Sequence, residues 1–265
     1  MTKVAILGAA GRMGIALTRC ARQLENLKVV TAIEQQGNPT IGKDAGTVAG
    51  LCEIGVKITD DPKAIANADV LIDFTFHTAV PENAKIAADF GKPIVIGTTG
   101  LNNEESAIIR KAAENIPIVW APNMSLGINL LFATVKKAAS VLGTVYRVEI
   151  DETHHVHKKD APSGTALRLG KEVAGGRGQD FASVMAHDLE GSDREYPEGT
   201  IVIRSHREGE VVGDHTVSFE NQGEKIEFTH HAWSRNAFAL GALHAAQWII
   251  GRKPGIYDMQ DVLGL

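Results

Sequence analysis

The chain has 265 residues, 44% hydrophobic and 22% charged, and its 27 Lys and Arg against 32 Asp and Glu leave a formal net charge of −5. This is the composition of an ordinary globular protein, long enough for one large or two modest cores, and the acidic balance argues against a dedicated nucleic-acid binder. Cys20 and Cys52 stand outside any CxxC pair, the N-terminal run "VAILGAA" is too short for a secretory signal, and no stretch is expected to reach membrane-spanning length. The expected setting is the cytoplasm, with no membrane partner.

In chain order, "KVAILG" (3–8), "LKVVTAIE" (27–34), "ADVLIDFT" (68–75), "KPIVIGTT" (92–99) and "IPIVWAPN" (116–123) are nearly continuous apolar runs, the pattern of strands covered on both faces. Helical patterns at 15–24, 79–90 and 104–114 separate several of them, which predicts a parallel sheet with crossover helices. After Asn123 the rhythm changes. A helix is expected over 126–142, then the strand-like "YRVEIDETHH", a histidine loop, and a second helix introduced by Pro162 and Ser163 and running to Ala174. Residues 175–199, rich in glycine and charge, read as a long loop. In "TIVIRSH", "DHTVSFE" and "KIEFTHHAW", His215, Val217 and Phe219 alternate with polar neighbours, as do Ile226, Phe228 and His230. With turns at "EGE" and "NQGE", this period of two predicts antiparallel pairing with one buried face. The apolar helix "NAFALGALHAAQWIIG" closes the pattern. The expected fold class is α/β: a Rossmann-type parallel sheet domain plus a smaller α+β domain with a mixed, largely antiparallel sheet. The expected limits are 1–125 for dinucleotide binding, 126–234 for the second domain, and 235–265 for a C-terminal helix returning to the first.

The first strand runs into "GAAGRMG", with Gly8, Gly11 and Gly14, and Glu34 ends the second strand. Small residues let the backbone approach a pyrophosphate, a helix N-terminus offers N–H donors, and a carboxylate there accepts from the adenosine ribose. The spacing is GxxGxxG rather than GxGxxG, so the weight rests on the strand–turn–helix context; a tight turn without ligand is the plainer alternative. "GTTG" (97–100) and "APNMS" (121–125) each follow a strand, where open sheets collect ligands, and together outline the nicotinamide side.

"HHVHKKDAPSGTA" (154–166) concentrates three histidines and two lysines in a net acidic chain. No metal is expected on His154, His155 and His157: no cysteine is near, HExxH spacing is absent, and Lys158 and Lys159 repel a cation. A solvated basic loop is the serious alternative. Against it, Ser163, Gly164 and Thr165 open a helix whose free N–H groups form an anion site, so cations and a helix N-terminus converge as a carboxylate-rich ligand requires.

"GAAGRMG", "GTTG" and above all "HHVHKKDAPSGTA" resemble the 4-hydroxy-tetrahydrodipicolinate (dihydrodipicolinate) reductase family of bacterial lysine biosynthesis, over essentially the whole chain. The resemblance implies NADH- or NADPH-dependent reduction of 4-hydroxy-tetrahydrodipicolinate to tetrahydrodipicolinate, on the route to diaminopimelate and lysine. It also implies a small dicarboxylate substrate and a homotetramer built through the second domain. By the same resemblance, His154 is the proton donor/acceptor and Lys158 the second proton donor, while His155, Gly164 and Thr165 hold substrate carboxylates. Gly8, Ala9, Ala10, Gly11, Arg12, Met13, Glu34, Gly97, Thr98, Thr99, Ala121, Pro122, Asn123 and Met124 are implied cofactor contacts. Many relatives follow the ribose-binding acid with an arginine; here Gln35 stands there, so NADH is the favoured cofactor and NADPH the lesser one. Cofactor and substrate residues fall in different domains, so closure is expected about residues 123–127 and 234–236.

Two other classes compete. A sugar or semialdehyde dehydrogenase calls for a catalytic Cys or a Tyr-x-x-x-Lys pair, neither of which the second domain offers. A redox-sensing dinucleotide-binding protein needs the glycine turn but not the histidine loop.

Overall fold

Each of the five apolar runs forms a strand in the computed structural model, which describes residues 1–188 and 195–265. The elements in chain order are β1 (Thr2–Leu7), α1 (Arg12–Ala21), β2 (Leu27–Ile33), α2 (Ala45–Val48), β3 (Ile58–Thr59), β4 (Val70–Asp73), α3 (Val80–Asp89), β5 (Ile94–Ile96), α4 (Asn103–Ala112), β6 (Pro117–Trp120), α5 (Leu126–Leu142), β7 (Arg147–His154), α6 (Gly164–Arg177), α7 (Phe181–Val184), β8 (Met185–Asp188), β9 (Ile201–Arg207), β10 (Gly213–Glu220), β11 (Lys225–Ala232), α8 (Asn236–Trp248), β12 (Gly255–Tyr257) and α9 (Met259–Leu263). Two units result. One joins Met1–Leu126 with Arg235–Leu265, and the other is Gly127–Ser234.

The first unit holds a sheet in the order β12-β6-β5-β4-β1-β2-β3, parallel throughout. Its central strands are mostly apolar because both faces are covered. Val4, Ile6, Ile72 and Val95 pack with α1, α8 and α9, whereas Ala5, Leu7, Leu71, Ile94 and Ile96 pack with α3 and α4. From β1 the chain moves one way to β2 and β3, then crosses back to β4 on the other side. The crevice at the carboxyl ends of β1 and β4 is therefore the switch point, where ligands of open α/β sheets bind. The edge strands β3 and β12 and the short helices α2 and α9 escaped sequence reading, being too brief to show a period.

The second unit carries a five-stranded sheet in the order β11-β10-β7-β9-β8. β10 runs antiparallel to β11 and to β7, while β7–β9 and β9–β8 are parallel. The sheet is mixed, but β9 is not the antiparallel neighbour of β10 that the alternation and the "EGE" turn suggested, for β7 lies between them. The crossover through α6 returns the chain to the edge strand β8, and β9 then lies between β8 and β7, parallel to both. The alternating residues Val148, Ile150, Val217 and Phe219 meet α5 and α6 in one core. The expected long loop at 175–199 also needs correction. α6 runs on to Arg177 and stops at Gly178, whose φ of 68° suits a residue without Cβ. α7 and the edge strand β8 follow, and residues 189–194 lie outside the described residues. "MAHD" lacks alternation, so nothing in it announced a strand.

One further expectation fails. Residues 126–145 are long and apolar enough, by length and composition, to cross a membrane. In this unit that segment is α5 and the turn after it, and its Ile128, Leu131, Phe132, Val135 and Ala139 are buried in the core of the second unit.

Candidate active site

The glycine turn is shaped by close backbone approach. Gly8 has φ 79°, and a Cβ there would lie 2.8 Å from the Phe74 carbonyl oxygen. A Cβ on Gly14 would lie 2.3 Å from the Gly8 carbonyl oxygen, so α1 can start this near β1 only with glycine. No side chain caps α1 at Gly11, and Gly11 and Arg12 are exposed. Glu34 closes the turn: its Oε1 accepts the Ala10 N–H at 2.8 Å, and its Oε2 accepts from Asn38 Nδ2 at 3.1 Å. A tight glycine turn, a helix start that no side chain caps, and a fixed carboxylate at the end of β2 fit a dinucleotide.

Of the other loops in this unit, "GTTG" follows β5 and is anchored below. Thr98 Oγ1 donates to the Asp73 carboxylate at 3.1 Å, where Thr75 and Asn83 also donate. Burial pushes the Asp73 carboxyl up from its ordinary value against those four hydrogen bonds. Gly97 passes so close to the Phe74 ring that a Cβ would meet it at 2.3 Å, and Thr99 is exposed. Ala121 and Met124 are buried, Pro122 is exposed, and Asn123 accepts the Ser125 N–H at 3.0 Å. Asp73 and Asn38 were not anticipated; only a buried acid at the end of an apolar strand hinted at the first.

In the second unit the histidine loop leaves the end of β7, and its chemistry turns on residues from β9 and β10. Strand register places Glu152 opposite His215 and His154 opposite Arg207. Glu152 is wholly buried; its Oε2 accepts from His154 Nδ1, and its Oε1 accepts the Ser163 N–H at 3.1 Å and both terminal nitrogens of Arg207 at 3.2 Å. Burial pushes the Glu152 carboxyl up, but hydrogen bonds from His154, Ser205 and Ser163 and the His154 charge outweigh it and hold it at about 2. His215 sits edge-on to the His154 ring at 5.1 Å, with Nε2 3.3 Å from Ser163 Oγ. Burial first, then the charges of His154, His230 and Lys158, outweigh the Glu152 carboxylate and drive its imidazole down to about 3, so it is neutral.

Lys158 pairs with Asp160 at 2.8 Å, and Arg207 holds that loop by donating to the Asp160 carbonyl at 2.5 Å. Asp160 is drawn below its usual range because Lys158 outweighs its desolvation. Lys159 is exposed; the His155 ring lies 6.1 Å from that of His157, and His157 faces Glu210 at 3.6 Å in solvent. Ser163 caps α6, its Oγ accepting the Ala166 N–H at 3.1 Å, and Gly164 and Thr165 form the first turn. Ser163 Oγ thus caps the helix start. The sequence had pointed to His154, His155 and His157 as neighbours. The fold instead groups His154 with Glu152 and His215, whose ligand atoms lie within 4.8 Å of one another. Those types suit zinc, but Glu152 already has His154 on one oxygen and Arg207 on the other.

A nucleotide-type switch point in one unit, and a buried acid–base cluster beside a helix start in the other, are the features of a pyridine-nucleotide-dependent oxidoreductase acting on a small molecule. Residues 2–124 match the family described as dihydrodipicolinate reductase, N-terminus, and residues 127–263 its C-terminus. The chain belongs to the dihydrodipicolinate reductase family. It is 50% identical to the 4-hydroxy-tetrahydrodipicolinate reductase of Anaeromyxobacter dehalogenans, covering 100% of this chain and 98% of that one. The enzyme of the same name from Citrifermentans bemidjiense is 46% identical, with 100% of both chains covered. A dipicolinate-bound dihydrodipicolinate reductase from a Paenisporosarcina species has the same fold, with TM-score 0.77, 23% identity and 98% of each chain covered.

Proposed function

We propose that this chain reduces 4-hydroxy-tetrahydrodipicolinate to tetrahydrodipicolinate in diaminopimelate and lysine biosynthesis, and that the cluster around His154 and Lys158 carries out its proton transfers. The observation that carries the reading is the convergence of His154, Lys158 and the start of α6 on one end of β7. The overall change adds a hydride and a proton to the substrate and releases its hydroxyl as water. The bound nicotinamide supplies the hydride; protons come from and return to the protein. His154 gives and takes a proton, Lys158 donates one, and His155 with Gly164 and Thr165 holds the carboxylates. Gly8, Ala9, Ala10, Gly11, Arg12 and Met13 seat the pyrophosphate, Glu34 the adenosine ribose, and Gly97 to Thr99 with Ala121 to Met124 the nicotinamide half. No residue is assigned to a metal. A homotetramer in the cytoplasm, without nucleic-acid or membrane partners, completes the reading. NAD(P)H oxidation coupled to the enzyme that makes the substrate tests it, and competitive inhibition by the planar 2,6-dicarboxylate dipicolinate separates it from a redox sensor, which ignores that compound.

NADH is the preferred cofactor. The Glu34 carboxylate, clamped by Ala10 and Asn38, repels a ribose 2′-phosphate, and Gln35 brings no charge to offset it. The exposed Lys43 in the following loop leaves some NADPH use. Steady-state kinetics should give a kcat/KM for NADH about tenfold or more above that for NADPH, about 1.4 kcal/mol; the reverse order overturns the assignment. Closure about residues 123–127 and 234–236 is part of the same proposal. Small-angle scattering should show a more compact envelope with NADH plus dipicolinate than with neither, and an unchanged one counts against closure.

A further inference from the structure

We infer that Glu152 is the positioning residue of the reaction: its Oε2 fixes the ring and tautomer of His154 through Nδ1, leaving Nε2 to exchange the proton, while its Oε1 ties that ring to the start of the substrate-binding helix. This rests on the reading of His154 as the proton donor and acceptor.

Besides the Ser205 hydroxyl, the carboxylate has two sets of partners, one on each oxygen. Oε1 takes three donors, the Ser163 N–H at 3.1 Å and the two Arg207 nitrogens at 3.2 Å, which fix its plane. Oε2 then points at His154 Nδ1. Glu152 stays ionised at any pH where the enzyme works, since its carboxyl is held at about 2. An ionised carboxylate can only accept, so Nδ1 carries the hydrogen in both protonation states of the ring. Nε2 is left as a lone pair in one state and an N–H in the other, which is what a group that takes and returns a proton needs. His215, held neutral beside the ring, adds no charge of its own. Arg207 balances the buried carboxylate, so the pair is not an uncompensated charge.

The second consequence is positional. Ser163 is the N-cap of α6 and donates its own N–H to Glu152, so the proton-transfer ring and the N–H groups of Gly164 and Thr165 hang from one buried carboxylate. A shift of that carboxylate moves both, and a misplacement of one ångström in such a pairing costs about a hundredfold in rate.

Glu152→Gln is nearly isosteric and removes only the charge and the strict acceptor. It should lower kcat roughly a hundredfold, with KM for substrate changed only a few-fold and NADH dissociation unchanged. The limb of the kcat profile that reports the protonated form should move about one pH unit downward, because the anion that favours that form is gone. Glu152→Asp, keeping the charge but retracting it, should recover part of kcat and return the limb toward wild type. A merely structural Glu152 moves thermal stability and leaves the profile in place. His154→Ala, run alongside, separates the two claims. If it keeps wild-type turnover, the reading of His154 fails; if it is crippled while Glu152→Gln matches wild type in kcat and profile, the inference about Glu152 fails. Should Glu152→Gln not fold, imidazole nitrogen-15 spectra of the wild-type protein decide the matter. Nδ1 of His154 must stay protonated across the ring's titration while Nε2 titrates, and the opposite assignment overturns the inference.

Discussion

Alanine in place of Lys158 or His154 should lower kcat by roughly two to four orders of magnitude, the range for losing a positioned acid. Lys159→Ala should cost no more than a few-fold. The contrast follows from placement. His154 is only 8% exposed and held by Glu152, and Lys158 is drawn in by Asp160 and by the Arg207 contact to its loop, whereas Lys159 points to solvent. Lys158→Ala should also raise KM, because a cation beside a carboxylate is lost. NADH dissociation should barely move in any of the three, since the dinucleotide turn belongs to the other unit. His154→Ala should fold, because Glu152 keeps Arg207 and the Ser163 N–H. A solvated basic loop predicts that all three variants behave alike. Measured kcat, KM and NADH dissociation therefore decide between them, and near wild-type turnover in Lys158→Ala and His154→Ala ends the catalytic assignment.

Acid should weaken the second unit in two stages that can be told apart. Unfolded, His215 takes up a proton near its ordinary 6.5; folded, burial postpones that to about 3. Between those values the unfolded chain binds the extra proton, so stability falls as pH falls. A displacement of this size is worth about 5 kcal/mol at most. Glu152 acts lower down. Its carboxyl is held at about 2 against an ordinary 4.5, so its contribution is complete above 4.5 and is lost as pH drops toward 2. The melting temperature, followed from pH 7 to 3, should therefore fall by about 10 °C or more, beginning below 6.5. His215→Gln should flatten the upper part of that curve and keep the fall below 4.5. An unchanged upper slope would show that His215 is not the group buried neutral.

The parts of this molecule legible in its sequence are those whose cause is local. In "KVAILG" the run Val4 to Leu7 is continuously apolar because Val4 and Ile6 face one helix layer while Ala5 and Leu7 face the other. The glycine turn is legible because Gly8 and Gly14 answer to backbone contacts within a few residues. The partners of His154 are not local: Arg207 and His215 reach it only through the register of β7 with β9 and β10. Two hints were present. Glu152 and His154 stand two apart on one face of a strand, and His215 shares the alternation of Val217 and Phe219, so it had to be buried and a buried imidazole needs company. What hid the pairing was the topology, since "TIVIRSH" and "DHTVSFE" look like a hairpin and are kept apart by β7.

The first unit is assembled from stretches that leave the ribosome more than a hundred residues apart. β1 to β6 emerge early, yet α8, which shares with α1 the face carrying Val4, Ile6 and Ile72, is delivered only after the whole second unit. Until then that face is an apolar surface lacking a helix, while the whole of the second unit, continuous from Gly127 to Ser234, has already been made. Vectorial synthesis thus favours the later unit as the earlier folder, and leaves the nucleotide-binding half as the nascent species most in need of shielding from other chains.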